Sequence, residues 1–342
     1  MEFKRHFDRA DLEQVFDGSF SLPQDFLFGA ANAAFQVEGG LNGPGEPLNN
    51  WVEYERSGKV ESSGEALRFW TDYPEQIEMA RSIGLNAFRL SIEWARVQPE
   101  TSLRPGRVPP FDQAAVEAYS KMIAEVAGSG MQPVVTLHHF THPYWLGLDF
   151  WLDREKLRHF EKYVLEVAVG VNRRLVEEYS LEPVRYWVTI NEPNGLALLL
   201  YLVRYFPHRR GGLKAAALAW SNMIDAHCRA YDILHRAYQE NKWGRPMVSY
   251  NTVHLSNYHL DKVMTDLLLA RRNGVGRKEL DSWLDSGKRS WDAEIAQCPW
   301  PQRPPRLGTA LEKLVDRASE RFFSTGAFTH GIDAKIGRAS CR

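Results

Sequence analysis

A glutamate set between an asparagine and a proline at the end of an apolar run stands out chemically in this 342-residue sequence. Tyr186-Trp187 lead into Val188-Thr189-Ile190, and the run stops at Asn191-Glu192-Pro193-Asn194. The β-branched apolar stretch predicts a short buried strand, which Pro193 ends because it cannot donate to a ladder. A carboxylic acid in partly apolar surroundings has a raised pKa and can donate a proton near neutral pH. Glu192 is therefore a candidate general acid, with the Asn191 amide beside it. The plainer reading is a strand end capped by polar residues. Other residues share such placements. Gln36 and Glu38 lie two apart in Asn32–Gly40, and in an extended segment they would point the same way. Arg89 sits inside Asn86–Trp94, either as a site residue or in an ordinary ion pair. His138 and His139 follow Pro133–Leu137. Adjacent strand residues face opposite ways, so these two cannot easily share a metal ion. A hydrogen-bonding role for a histidine at the strand end is the preferred reading.

These residues need elements to position them. Phe26–Ala31 reads as a first strand after a polar lead-in over residues 1–25. A helix is predicted over about 65–82, with Tyr73, Ile77 and Ala80 on one face and Gly84 as its cap. Asn86–Trp94 is the second strand. A helix opening at Phe111-Asp112 carries Val116, Tyr119, Ile123 and Val126, and Pro133–Leu137 is the third strand. The longest stripe, about 154–179, places Phe160, Tyr163, Val164, Val167, Val171 and Leu175 on one face. The strand ending at Glu192 is the fourth. A helix over about 212–240 precedes a fifth strand at Pro246–Asn251. Strand and helix thus alternate five times with short turns, the pattern of a parallel sheet covered by helices. No Gly-x-Gly-x-x-Gly follows the first strand and no Walker-type loop occurs, which disfavours a dinucleotide or ATP fold. The fold class expected is α/β, a (β/α)8 barrel, in which Gln36, Arg89, His139, Asn191 and Glu192 converge at the C-terminal ends of the strands.

Composition limits the alternatives. Lys and Arg number 42 against 43 Asp and Glu, so bulk charge gives no footing for nucleic acid or a membrane surface. The three cysteines, Cys228, Cys298 and Cys341, are odd in number and widely spaced, unlike a disulfide framework or zinc site. Residues 1–16 alternate charge without an apolar core, and no 18-residue apolar run occurs, so a cytoplasmic location is the expectation. The 11 tryptophans suit flat ligands such as sugar rings, although core packing is their commoner use.

Four blocks together resemble family 1 glycoside hydrolases, the β-glucosidase group. They are Phe26–Gly39 (FLFGAANAAFQVEG), Gly84–Pro99 (GLNAFRLSIEWARVQP), Val134–Pro143 (VVTLHHFTHP) and Tyr186–Asn194 (YWVTINEPN), in the family's order. The resemblance covers about residues 20–260. It implies a retaining β-glycosidase acting by double displacement on β-linked glycosides, such as small oligosaccharides or aryl and alkyl glucosides. Glu192 would be the acid/base. Asn191 would hold the sugar 2-hydroxyl, Gln36 and His139 would bind ring hydroxyls, and Arg89 would support the nucleophile carboxylate. No cofactor or metal is implied, and no nucleic-acid or membrane partner. Oligomeric state, the sugar and the choice of hydrolysis over transglycosylation stay open. Phe140-Thr141 replaces the family's usual Trp-Asp, and His142 is also unusual there.

The mechanism needs a second carboxylate, and the Thr-Glu-Asn-Gly block that carries it in the family does not occur in this sequence. After about residue 252, helices over 260–272 and 309–322 and a Pro-rich linker at 299–305 are expected, with no sixth strand. The ending Lys335–Arg342 (KIGRASCR) reads as a sequencing adapter translated in frame, the codons AAG ATC GGA AGA GCG TCG TGT AGG encoding it. The expected organisation is thus an incomplete catalytic barrel over 20–335, about strands one to five, and an adapter-derived tail over 336–342. As written, the chain is expected to be poorly soluble and inactive. Two alternatives remain: a non-catalytic carbohydrate-binding pseudoenzyme, and another retaining glycosidase family with an Asn-Glu-Pro turn.

Overall fold

The computed structural model describes residues 23–103, 107–253, 258–270 and 272–297. The expected helix at 309–322, the linker at 299–305 and the tail at 336–342 lie outside the described residues. Strand β1 is Gly29–Ala31, and helix α1 is Phe69–Ser82. Strand β2 (Ala87–Ser91) and helix α2 (Gln113–Gly128) follow. Next come β3 (Gln132–Thr136), α3 (Leu157–Glu177) and β4 (Tyr186–Asn191). Helix α4 is Leu213–Asn241 and β5 is Met247–Asn251. Helices α5 (Val263–Ala270) and α6 (Leu280–Ala296) end the described chain.

The strands form one sheet in the order β1-β2-β3-β4-β5, every neighbouring pair parallel. Consecutive order with a helical crossover each time, and no reversal, is the winding of a barrel rather than of a doubly wound sheet. Strand β4 is buried from Trp187 to Asn191, and β2 is buried except for half-buried Arg89. Such near-continuous apolar runs are what strands covered on both faces require. β1 is exposed along its length and β5 is partly exposed. Each has one strand neighbour among the described residues.

Large aromatics join the sheet to its helices. Trp94 stacks on Tyr163 of α3 with ring centroids 4.6 Å apart. The Tyr163 hydroxyl reaches the carbonyls of Leu137 at 2.8 Å and Ile92 at 3.2 Å, just past the ends of β3 and β2. The buried Trp187 indole donates to the Tyr238 hydroxyl of α4 at 2.7 Å. Each fully buried large side chain of this kind contributes about 1.5–3 kcal/mol. A second apolar cluster gathers Trp220, Ile224 and Cys228 of α4 with Val263, Met264 and Leu267 of α5.

Two expectations need correction. The predicted helix at 260–272 is two pieces, Tyr258–Asp261 and α5. Residues 34–37 are a helical turn rather than an extended segment, so Gln36 and Glu38 do not face the same way. Gln36 is exposed, whereas Glu38 is buried against Arg96.

Candidate active site

The C-terminal ends of β2 to β5 bring together residues from distant parts of the chain. Arg89 of β2 is the hub. Its Nε donates to Thr136 Oγ1 of β3 at 2.8 Å. Its Nη2 donates to Asn191 Oδ1 of β4 at 2.6 Å and to Asn251 Oδ1 of β5 at 3.1 Å. One guanidinium thereby ties three strand ends to its own. Because Asn191 Oδ1 accepts from Arg89, the amide NH2 of Asn191 is the group left to meet a ligand.

Glu192 follows immediately, at φ 44° and ψ 56°. A non-glycine residue in this left-handed conformation is strained by about 1–3 kcal/mol and persists where the surroundings fix it. Here the Glu192 N–H donates to the Asn251 carbonyl at 2.9 Å, and Pro193 opens the helical turn Pro193–Ala197. The strand thus breaks sharply, leaving the carboxylate half-buried at its end. Burial raises the Glu192 pKa, and the positive charge of Arg89 opposes that rise. Among the described residues, Arg89 is the one charged group found to bear on it. Gly195 lies under the carboxylate, since a Cβ there would stand 3.6 Å from Glu192 Oε2 and 2.9 Å from Val253 Cγ1.

The two histidines separate as their adjacency requires. His138 is buried against Trp151 and Phe160 behind the strands. His139 is half-buried on the Arg89 side, and burial together with that positive charge lowers its pKa to about 4. It is therefore a neutral imidazole at pH 7, able to donate from one nitrogen and accept at the other. Phe140 beside it has φ 71°. A chain of ring contacts runs outward, His139 to Phe140 at 5.2 Å, Phe140 to Phe206 at 5.5 Å, Phe206 to Trp51 at 5.0 Å and Trp51 to Phe35 at 6.1 Å. Phe35 immediately precedes Gln36.

Four predicted residues are thus gathered: Arg89 bonds Asn191, Asn191 adjoins Glu192, and Arg89 bears electrostatically on both Glu192 and His139. Gln36 is linked to them only through the aromatic run, and its exposed side chain has no hydrogen-bond partner among the described residues. Sequence reading missed Thr136 and Asn251. Both are polar residues at strand ends, Thr136 on the largely buried β3 and Asn251 on the partly exposed β5, the placement that also marks Asn191.

The family model for glycosyl hydrolase family 1 matches residues 19–270. The chain belongs to this family. Beta-glucosidase 47 of Arabidopsis thaliana is 27% identical over 264 residues, covering 72% of this chain and 47% of that protein. The 6-phospho-beta-galactosidase of Lacticaseibacillus casei is 34% identical over 218 residues, covering 63% and 42%. Among solved family 1 structures, the beta-glycosidase from Pyrococcus horikoshii is 33% identical, with a TM-score of 0.54 over 68% of this chain and 48% of that one. The chain therefore spans about half the length of the relatives it matches. The beta-glucosidase from Thermotoga maritima, 21% identical with a TM-score of 0.58 over 78% of this chain and 63% of that one, shows the shared fold. The five described strands correspond to the first five of a family 1 (β/α)8 barrel. Among the described residues no helix is long and apolar enough to cross a membrane.

Proposed function

We propose that this chain carries the acid/base half of a retaining β-glycosidase site. The observation that supports this best is the Arg89 clamp, which sets Asn191 and the raised-pKa carboxylate of Glu192 at adjoining strand ends. In this reading Glu192 protonates the glycosidic oxygen as the bond to the aglycone breaks, then takes a proton from water as the glycosyl-enzyme is hydrolysed. The Asn191 NH2 donates to the sugar 2-hydroxyl, a contact that strengthens in the transition state. Neutral His139 and Gln36 bind other ring hydroxyls. Arg89 has a second duty, to hold a nucleophilic carboxylate about 5–5.5 Å from Glu192 in the ionised state. That carboxylate is not among the described residues and belongs to the strands that complete the barrel.

The substrates proposed are β-linked glycosides with small sugar, aryl or alkyl aglycones, cleaved without metal or cofactor in a cytoplasmic setting. The relatives include both beta-glucosidases and 6-phospho-beta-galactosidases. A second reading is a non-catalytic carbohydrate-binding protein. Fusion of the chain to the strand-six-onward portion of the Pyrococcus horikoshii enzyme tests the first reading. The fusion is expected to hydrolyse an aryl β-glucoside while the chain alone does not. Loss of activity in Glu192→Gln, steepest for poor leaving groups, is the expected signature, and full activity in that variant would overturn the assignment.

A further inference from the structure

Behind the strand ends lies a buried polar network that the proposed chemistry does not use. Glu38 accepts from Arg96 Nε at 2.7 Å and from the Tyr119 hydroxyl at 2.8 Å. Arg96 also donates to the Gly39 carbonyl. The Tyr119 hydroxyl in turn accepts the Glu93 N–H at 2.9 Å. The Glu93 carboxylate accepts from Ala95 N–H at 3.3 Å on one oxygen and from Thr141 Oγ1 at 2.6 Å on the other. Glu38, Glu93, Arg96, Tyr119 and Thr141 are all buried.

The placement of this network matters more than its size. Glu38 lies two residues past Gln36, and Thr141 lies two residues past His139. Glu93, reached from one side by backbone and from the other by side chain, is the node common to both segments. Between His139 and Thr141 sits Phe140 at φ 71°, a conformation that a bulky residue holds only where contacts on either side impose it. Before Phe140, the His138 carbonyl accepts the Asn191 N–H at 2.8 Å, and after it Asn50 accepts the His142 N–H on its Oδ1 at 3.0 Å. The Thr141 bond to Glu93 supplies another. The charges also restrict what can stand at 141. Two buried carboxyl groups share one guanidinium, and that guanidinium donates to Glu38, not to Glu93. Burial, reinforced by the Glu38 charge, raises the Glu93 pKa to about 7 against the pull of the Thr141 hydrogen bond and Arg96. A carboxylate at position 141 would meet Glu93 with no cation between them, whereas a hydroxyl donates to it.

We propose that Glu93 and Thr141 are a positioning pair that fixes the Phe140 turn and so orients the His139 ring, and that the residues allowed at 93 and 141 are linked. The consequence for ligand binding rests on the reading of His139 as a sugar-binding residue. The pair itself is tested without that reading, in the full 342-residue chain, from the His139 ring nitrogen resonances, assigned with His139→Gln.

Thr141→Val and Thr141→Asp are expected to shift or broaden the His139 ring signals, and Thr141→Ser to restore them. Glu93→Gln combined with Thr141→Asp is expected to restore them too, because the new amide donates to the new carboxylate. If Thr141→Val fails to fold, the comparison of Thr141→Asp with that double variant carries the test. His139 signals unchanged from wild type in every folded variant, with only the melting temperature falling, would overturn the proposal. So would a double variant no closer to wild type than Thr141→Asp. Deoxynojirimycin, the ligand in the Thermotoga maritima structure, serves as a separate probe. If it leaves the His139 signals of the fused enzyme unmoved, where both halves of the site are present, the sugar-binding reading fails while the variant comparison in the 342-residue chain still decides the positioning pair.

Discussion

Arg89 Nη2 lies 2.6 Å from Asn191 Oδ1, and this contact decides which end of the asparagine amide faces outward. The same guanidinium reaches β3 and β5, so it organises the site as well as charging it. Hydrogen bonds from a charged donor contribute about 1.5–3 kcal/mol each, and their loss leaves polar acceptors unpaired. Arg89→Met is therefore expected to destabilise the fold by roughly 2–4 kcal/mol, read from urea unfolding. Arg89→Lys keeps the charge without the fork that spans three strands, and should fall between the two.

Gly195 offers a more local test of Glu192. A Cβ there would stand 2.9 Å from Val253 Cγ1 and 3.6 Å from the Glu192 carboxylate. Gly195→Ala is expected to cost about 1–3 kcal/mol through overcrowding and to displace the Glu192 carboxylate. Its signature is loss of activity in the fused enzyme beyond the loss of stability, measured as kcat at a temperature where both forms are folded. An unchanged kcat would show that the carboxylate does not rest on this glycine.

Glu93 should leave a mark on the pH dependence of stability. Burial raises its folded pKa from 4.5 to about 7. Between those values the folded state holds a proton that the unfolded state has lost. Its contribution is therefore full below pH 4.5 and is lost as pH rises through 7, on the order of 3 kcal/mol in total. Half-buried His139 and buried His142 and His227, each lowered to about 4, act in the opposite sense, losing stability as pH falls from 6.5 toward 4. Glu93→Gln keeps those histidines, so the difference between variant and wild type isolates Glu93. The variant is expected to gain relative stability as pH is raised from 5 to 8. A pH-independent difference would contradict the burial assigned to this carboxylate.

Much of this was legible in the sequence because the buried strands are short apolar runs ending in polar residues. The fourth strand and its Asn191-Glu192 end, the Arg89 strand and the α3 stripe all fall where periodicity places them. Tertiary relationships were less accessible. The partners of Glu93 lie 26 and 48 residues away, and nothing local marks them. Asn251 ends a strand that the sequence pattern marks, but nothing local signals its link to Arg89, 162 residues earlier. The turn at Ala34–Val37 is not legible in the sequence because four residues carry too little pattern to separate a helical turn from an extended chain. Helix α6 was missed because none of its residues is buried, leaving only a weak stripe of Leu280, Leu284 and Trp291 against the second cluster.

Glu192 is proposed to act as the acid/base and not as the nucleophile. The most direct measurement is the product formed from an activated aryl β-glucoside when Glu192→Ala is made in the fused enzyme and azide is added. Removing a general acid/base costs roughly 10²–10⁴-fold in turnover. Azide should then restore turnover by attacking the anomeric carbon of the glycosyl-enzyme and releasing the nucleophile carboxylate, giving the β-glucosyl azide. An α-glucosyl azide would mean that azide had replaced a missing nucleophile, and a variant as active as its parent would remove Glu192 from the chemistry. Either result would contradict the role assigned to Glu192.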